Sequence, residues 1–433
     1  MTTAEPNPPG ADSALPPTHY RWNAGALMVD MATFSVGMSF VSSTTVLPSL
    51  IAALGGSEVI VGVASGLISG AWLLPQLLIA GIVARLPRKK PFMVRTACLT
   101  RPILLVLALI IFLLGETQPA IVLAAVLVST SLFFMFDAMV SVPWFDLIAR
   151  TIPATRRGRM LGGAQVLGGI GGILAGVAVR AILHEGSAPT FPADYALLYA
   201  CATVMMVLSA GALSVVREPA SDAATRDVLP LRQVLAQLPG IIVHDRSLGR
   251  VVSVRVLAGF VGMASAFYVL NATGNAGLSL EAAGLFVSAQ VAGSLAGGLL
   301  TGAIQDRWGP LVHLRTIIAV SALPPAIALV CQPFLAALGS GVLYPYLLLY
   351  FALGIYIGSI GWPYFNWILE YAEESRRPLY IGMANTLGAI TMVTPALGGW
   401  VARDISYTAV FALSLAAALA GLALSGGIPS TRQ

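Results

Sequence analysis

Four ionisable side chains interrupt long apolar stretches of this chain: Asp30, Arg101, Asp137 and Arg255. A charge at the centre of a helix in hydrocarbon costs about 2.5–3.5 kcal/mol unless it is paired or faces water. Each of the four therefore indicates an ion pair or a wet cavity. Two chemistries are open. Asp30 could pair with Arg255 or Arg101 and hold helices together, or Asp30 or Asp137 could take up and release a proton when a basic partner moves and changes its pKa.

The first apolar stretch places polar side chains on one helical face. At 100° per residue the stripe contains Asp30, Thr33, Gly37, Phe40 and Thr44. When Ser35 is aligned with Phe260, at an offset of 225 residues, Arg255 falls opposite Asp30. The two opposite charges then occupy equivalent depths in two related helices.

Composition determines which elements position these residues. The sequence is 57% hydrophobic and only 10% charged, with a mean hydropathy of +0.85, whereas a soluble protein has about 25% charged residues. Twelve apolar runs are long enough to cross roughly 30 Å of hydrocarbon as helices. They cover residues 26–53, 58–83, 93–115, 119–149, 160–184, 193–216, 251–274, 280–304, 312–333, 341–369, 378–402 and 406–427. We expect an all-α membrane protein with twelve transmembrane helices.

One segment of the chain occurs twice. The 28 residues from Pro143 align without a gap on those from Pro363, and ten pairs are identical, including Arg156/Arg376 and Arg157/Arg377. Both copies read as the end of one helix, an Arg-Arg turn and the start of the next. The chain is therefore predicted to fold as two pseudo-symmetric bundles of six helices each.

Positive charges orient the predicted helices. Of the 24 Lys and Arg, five lie between spans two and three, four between spans four and five, five in the central linker, two after span eight, two after span ten and one at each terminus. Only Arg180 and Arg403 fall on the opposite side. Because positive residues stay cytoplasmic, both termini should be cytoplasmic in a bacterial-type inner membrane.

The predicted domain organisation follows from these runs. Residues 1–21 form a disordered cytoplasmic tail, 22–216 the first bundle, 217–250 a cytoplasmic linker, 251–427 the second bundle and 428–433 a short tail. Within the linker, Leu231, Val234, Leu235 and Leu238 have the spacing of an amphipathic helix lying at the membrane surface.

The sequence lacks the residue patterns that are typical of several other classes of protein. Cys98, Cys201 and Cys331 are too far apart in sequence to form a metal cluster, and no phosphate-binding Gly-Lys-Ser/Thr loop occurs. The apolar runs contain no Ser/His pair, and no basic patch is interleaved with exposed aromatics. We therefore expect no enzyme, no cofactor, no metal and no nucleic-acid partner.

Thr301–Gly309, TGAIQDRWG, has Gly302, Asp306, Arg307 and Gly309 at G-x-x-x-D-R-x-G spacing. Together with the six-plus-six arrangement and the long linker, this loop resembles the major facilitator superfamily of transporters. The first-half copy is incomplete, because Ala84 aligns with Asp306 while Arg85 aligns with Arg307.

The resemblance implies a cytoplasmic gate. It places Asp306 near the N-terminus of a helix in the other half, close to Arg157, where the helix dipole favours negative charge. The predicted gate residues are Arg85, Gly302, Asp306, Arg307, Gly309, Arg157 and Arg377. The half of this gate that lacks an acid, opposite the start of span eleven, should be weaker.

The resemblance also implies a central cavity lined by spans one, four, seven and ten. Beside Asp137, the expected lining residues are Thr33, Phe40, Thr44, Ser141, Trp144, Asn271, Tyr356 and Tyr364. For the aromatic residues, a position in the interfacial belt or in helix packing is the competing interpretation.

The resemblance implies secondary transport of a small molecule by alternating access, and we expect this transport to be coupled to protons. Efflux of an amphipathic compound is favoured over uptake of a sugar or another metabolite, because the inferred cavity is aromatic with few charges. Outside this class, the chain could be a non-transporting membrane sensor or a lipid scramblase. The expected partners are a small-molecule substrate, protons and the bilayer, and we expect a monomer.

Overall fold

The computed structural model describes residues 17–84, 86–218, 245–373, 380, 388 and 390–432, and the regular elements in these ranges are helices. The first half, residues 17–218, begins near one end of the molecule. Its helices are α1 (Pro17–Phe40), α2 (Val46–Ala53), α3 (Glu58–Ala84), α4 (Lys90–Leu114), α5 (Pro119–Thr151), α6 (Ala154–Ile182) and α7 (Ala193–Ser214).

The second half, residues 245–432, has shorter and more broken helices. They are α8 (Arg246–Gly262), α9 (Phe267–Leu270), a π-helix (Asn271–Asn275), α10 (Ala282–Ser321), α11 (Leu323–Cys331), α12 (Leu335–Leu338), α13 (Leu343–Ser359), α14 (Gly361–Tyr371), α15 (Thr394–Asp404) and α16 (Tyr407–Ser425). Short 3₁₀ turns cover Gln332–Phe334, Gly339–Val342 and Ile390–Val393. Residues 219–244 of the predicted linker, which include all four residues of its amphipathic spacing, and residues 1–16 of the N-terminal tail lie outside the described residues.

Lipid is the solvent that these helices require. Within the described residues, eight helical segments are long and apolar enough to cross a membrane. In each segment, at most half of the most apolar stretch is buried inside the protein. Leu113 on α4 and Leu174 on α6 are 67% and 64% exposed, which suits acyl chains. The all-helical membrane architecture predicted from composition is confirmed, while the count of twelve spans stays a prediction.

A sharp break divides α10. Gly309 has φ +84° and ψ 174°, so the helix that begins at Ala282 ends there and a second begins at Pro310. Glycine adopts this left-handed region without a Cβ penalty, and proline cannot continue the preceding helix. The break falls at the last residue of the G-x-x-x-D-R-x-G motif.

Two pairs of helices join the halves through glycine. A Cβ on Gly176 of α6 would lie 2.2 Å from the Ser288 Oγ of α10, and one on Gly62 of α3 would lie 2.2 Å from the Pro395 carbonyl oxygen of α15. Backbones this close need small residues, as in other membrane helix pairs.

We call the end of the molecule that holds Pro17, Asp146, Arg246 and Arg432 the terminal end. The opposite end, which holds Glu58, His184 and Glu281, is the far end.

Candidate functional site

A cavity of about 650 Å³ opens among α1, α3, α4, α5 and α7 of the first half. We call it the acidic cavity, since Asp30 and Asp137 line it together with Arg101. The rest of its wall is largely aromatic and aliphatic. The lining residues are Asp30, Met31, Phe34, Ser35, Met38, Ile68, Ser69, Trp72, Arg101, Phe134, Asp137, Val140, Ser141, Trp144, Phe145 and Leu213.

Helical spacing produces this wall. On α5, Asp137, Ser141 and Trp144 follow one another at intervals of four and three residues, so they share a face. Asp30 and Phe34 do the same on α1. The aromatic surface favours flat or amphipathic ligands, and the carboxylates add points where a ligand's polar group or a proton can bind.

Neutral donors hold Asp30. Its Oδ1 accepts a hydrogen bond of 2.6 Å from the Ser209 hydroxyl, and its Oδ2 accepts one of 2.8 Å from Trp144 Nε1. The residue is 5% exposed. Its carboxylate thus borders the cavity without a salt bridge to any described residue.

Arg101 connects the two acids. One guanidinium nitrogen lies 3.3 Å from Asp137 Oδ1, and the other donates to Ser209 Oγ, also over 3.3 Å. The guanidinium carbon lies 5.4 Å from the centre of the Phe34 ring. Ser209 therefore links Arg101 to Asp30, and one connected cluster spans α1, α4, α5 and α7.

The two carboxylates have different surroundings. Asp137 is paired with Arg101, so removing its partner would leave a buried charge uncompensated. Asp30 is bonded only to groups that stay neutral, among the described residues. A proton can therefore bind Asp30 without breaking a direct ion pair.

Arg255 lies apart from this cluster. Its guanidinium is 5.7 Å from the centre of the Tyr364 ring, and a Cβ on Gly388 would lie 2.8 Å from its Nε. The Asp30–Arg255 ion pair considered from the repeat is not among the salt bridges of the described residues. Asp30 is instead coupled to Arg101, the other partner considered, through Ser209.

A second cavity, of about 220 Å³, lies between the halves. Ile68 and Ser69 of α3 line both cavities, so the two are neighbours. Much of its wall consists of small hydroxyl-bearing residues, including Ser43, Thr44, Ser65, Ser265, Thr391 and Thr394. We call it the hydroxyl cavity, and its wall suits a ligand with several hydrogen-bonding groups.

Contacts between the halves close the molecule on the far side of these cavities. Thr44 Oγ1 donates to Gln290 Oε1 over 2.6 Å, and the Tyr407 hydroxyl donates to Glu58 Oε1 over 3.0 Å. At the far end itself, Glu281 of the second half accepts a 2.6 Å hydrogen bond from His184 Nδ1 of the first.

Charge reinforces this last contact. Arg180 Nε lies 3.7 Å from the same Glu281 oxygen. The hydrogen bond from His184, with the charges of His184 and Arg180, holds the pKa of Glu281 below its ordinary value of 4.5. We call Glu281, His184 and Arg180 the far-end latch.

At the terminal end the described polar contacts stay within one half. Asp146 pairs with Lys89 at 2.8 Å and with Arg150 at 2.7 Å. In the second half, Arg432 pairs with Glu370 at 2.6 Å. Described polar contacts thus join the two halves at the far end. At the terminal end, the described polar contacts of each half stay within that half.

The family model described as Major Facilitator Superfamily matches residues 29–392. This chain belongs to the Major Facilitator Superfamily. Membership identifies it as an integral membrane transporter and not an enzyme, as the G-x-x-x-D-R-x-G loop and the composition predicted. No curated protein sequence matches it.

Solved transporters share the fold at low sequence identity. A bacterial homologue of the iron transporter ferroportin in its inward-facing state is 12% identical, with a TM-score of 0.69 over 95% of this chain and 99% of that one. A D-xylose-proton symporter is 16% identical, with 0.67 over 94% and 98%. A nucleoside transporter is 14% identical, with 0.66 over 94% and 100%.

The superfamily resemblance implied eight cavity-lining residues beside Asp137, and only some of them line a cavity in this structure. Ser141 and Trp144 line the acidic cavity, and Thr44 lines the hydroxyl cavity. Thr33 instead donates to the carbonyl oxygens of Val29 and Asp30 in its own helix. Phe40, Asn271, Tyr356 and Tyr364 are buried in packing and are not among the lining residues of either cavity.

Two hydrogen-bonding residues and one aromatic ring show what these packed residues contact. Asn271 donates to Tyr346 over 2.6 Å and to Gln332 over 3.1 Å, and Tyr356 donates to the Ala258 carbonyl oxygen over 2.8 Å. The Tyr364 ring lies under Arg255. In this conformation they connect helices of the second half, which is the competing interpretation given above for aromatic residues.

The predicted gate residues that the structure describes lie at the terminal end. Arg157 donates to the carbonyl oxygens of Ala149 and Ile152 in its own half. Asp306 is exposed, and its carbonyl oxygen accepts from Arg432, while Arg307 lies 5.0 Å from the Trp308 ring centre. Gly302 is exposed and Gly309 forms the break. Arg85 and Arg377 lie outside the described residues.

Sequence reasoning missed several residues of the site. Ser209, which joins Arg101 to Asp30, is one of many serines in apolar helices and gave no distinct signal. Ser65, Ser69 and Trp72 could have been found, because their spacing of four and three residues forms a polar stripe on α3. Glu281 and His184 are distant in sequence, and nothing in either neighbourhood predicts their contact.

Proposed function

We propose that this protein is a proton-coupled secondary transporter that moves an amphipathic small molecule by alternating access. The observation that supports the proposal is the cluster Asp30–Ser209–Arg101–Asp137 in the wall of an aromatic cavity. Asp30 is the proton site, since its hydrogen-bonding partners are neutral. Asp137 is the fixed counter-ion of Arg101. Protonation of Asp30 would weaken its attachment to α5 and α7 and so couple charge to helix position.

The proposed membrane arrangement has twelve spans in two pseudo-symmetric bundles, with both termini cytoplasmic in a bacterial-type inner membrane. The repeated hairpin, the break at Gly309 and the bias of Lys and Arg toward the terminal end support it. The protein acts as a monomer, because each half already finds its apolar partner within the chain.

The conformation described here is inward-facing in this proposal. The far end holds the inter-half contacts of Thr44, Glu58 and Glu281, whereas the described salt bridges of the terminal end stay within one half. The ferroportin homologue gives a supporting comparison. Its inward-facing structure has a TM-score of 0.69 to this chain, and its outward-facing structures have 0.62 and 0.59.

Two substrate classes are supported by different observations. The aromatic wall and the carboxylates of the acidic cavity favour efflux of a neutral or cationic amphipath, which is our first choice. The neighbouring hydroxyl cavity favours uptake of a sugar or another polyhydroxylated metabolite as the second. The similar structures are named as transporters of nucleosides or xylose, or as a homologue of an iron transporter. These names do not favour either substrate class over the other.

Reconstituted vesicles with a pH-sensitive dye inside test the proposal. A panel of amphipathic cations and monosaccharides is first screened by thermal stabilisation of the purified protein, and the binders are then added to vesicles. We expect an amphipathic cation to move protons. Asp30→Asn should reduce that movement at least tenfold, whereas Asp404→Asn, at an exposed acid of the far end, should leave it unchanged.

Other outcomes contradict the proposal. Proton movement that persists in Asp30→Asn removes the assigned site. Monosaccharide uptake without response to a cation replaces the substrate class. Lipid exchange between leaflets without solute movement indicates a scramblase, and binding without any flux indicates a sensor.

A further inference from the structure

A groove of about 660 Å³ lies on the first half at the terminal end. It runs along α4 beside the loop that follows α3 and beside α5. None of its lining residues lines the acidic cavity, so it is a separate site that the proposed transport cycle does not use.

The groove is polar at its mouth and apolar along its floor. Arg88 and Arg95 lie near the start of α4, which begins at Lys90, while Leu99, Phe136 and Met139 line the deeper part. At 1.5 Å per residue, Leu99 lies about 6 Å further along the helix than Arg95. Leu99 is 63% exposed, which is suitable for a side chain against an acyl chain.

The neighbouring charges are already engaged, whereas these two arginines have no salt bridge to a described residue. Lys89 pairs with Asp146, and the backbone amides of Lys89 and Lys90 donate to Glu218 at 2.8 and 3.0 Å. The carboxylates that hold this loop therefore leave the guanidinium groups of Arg88 and Arg95 exposed beside the groove.

We propose that this groove binds an anionic phospholipid from the bilayer. The phosphate lies between Arg88 and Arg95, and an acyl chain follows Leu99, Phe136 and Met139. The uncompensated positive charge favours an anionic over a zwitterionic headgroup, because basic residues near a membrane surface attract anionic lipid. The apolar floor favours a lipid over a free anion.

Lipid titration of the purified full chain in detergent tests this site. Phosphatidylglycerol and phosphatidylcholine with identical acyl chains are compared by native mass spectrometry and thermal stability, with inorganic phosphate as a third arm. We expect phosphatidylglycerol to bind more tightly and to raise the melting temperature. The double variant Arg88→Gln/Arg95→Gln should weaken its binding on the order of tenfold.

The matched control removes two exposed arginines of the same end that lie outside the groove, Arg159→Gln/Arg246→Gln. It should bind phosphatidylglycerol like the unaltered protein. A second variant, Leu99→Asn, should weaken binding while leaving both arginines in place. Equal binding of the two lipids, equal loss in the control, or stabilisation by inorganic phosphate alone would each overturn the proposal.

Discussion

At the scale of single residues, the acidic cavity shows how the same side-chain type acquires two roles. Asp137 faces a guanidinium, and Asp30 faces a hydroxyl and an indole N–H. A buried ion pair adds little net stability over apolar packing, yet breaking one from a single side is costly. The Arg101–Asp137 pair should therefore respond more strongly to single substitutions than to paired ones.

Arg101→Gln tests this asymmetry. It leaves Asp137 without its counter-ion, and we expect a loss of about 3–5 kcal/mol in stability. Adding Asp137→Asn should recover most of that loss, because both charges are then removed. Thermal unfolding in detergent measures both variants against Arg150→Gln, at a more exposed pair. If the double variant is less stable than Arg101→Gln alone, the pair is not the reason for the loss.

Asp30, Arg101 and Asp137 could be predicted from sequence because a charge in a twenty-residue apolar run is rare and expensive. The same reasoning does not determine which way Asn271 and Tyr364 face. Family resemblance assigned them to cavity-lining spans, but the rotation of each helix depends on packing contacts distant in sequence. In this structure Asn271 faces Tyr346 and Gln332.

At the scale of elements, the contact between α3 and α15 depends on the absence of side chains. Gly62 leaves room for the Pro395 carbonyl, and Gly399 leaves room for the Glu58 carbonyl, at 2.2 and 2.3 Å from a hypothetical Cβ. Backbone atoms cannot move aside as a flexible side chain can. Any larger residue must therefore separate the two helices.

Gly62→Ala should lower stability by about 1–3 kcal/mol through this overpacking, even though alanine is the better helix former. Gly211→Ala on α7 is the control, because nothing lies within 4 Å of its Cβ position. It should be neutral or stabilising. Thermal unfolding measures the stability of both variants. Equal changes in stability would show that the close approach of the two helices at Gly62 is unimportant.

Element boundaries were only partly readable from the sequence. Composition predicted helices throughout, and the motif ending at Gly309 predicted the turn that divides α10. The breaks after α1 and between α8 and α9 were not predicted, because Val41–Thr45 and Met263–Ala266 contain no proline and read as continuous apolar helix. Tertiary contacts override local preference at both places.

At the scale of the whole molecule, alternating access requires inter-half contacts that can break. The far-end latch is such a contact, since Glu281 belongs to one half and His184 and Arg180 to the other. The folded pKa of Glu281 is below 4.5. Its contribution is therefore complete above about pH 4.5 and is lost as the pH falls through the lower, folded value.

The three native cysteines are first replaced by serine, and spin labels are attached at Glu116→Cys and Thr408→Cys. These two positions are exposed at the far end of opposite halves, so the distance between the labels reports whether this end is open. The far ends should be close at pH 7 and should separate as the pH falls below about 4.5. Glu281→Gln removes the carboxylate, so a longer distance should already be populated at pH 7 and should change little with acid. Glu185→Gln, at an exposed neighbour of His184, is the control and should behave like the parent. A Glu281→Gln protein with the parent's distances at both pH values would show that other inter-half contacts alone keep this end closed.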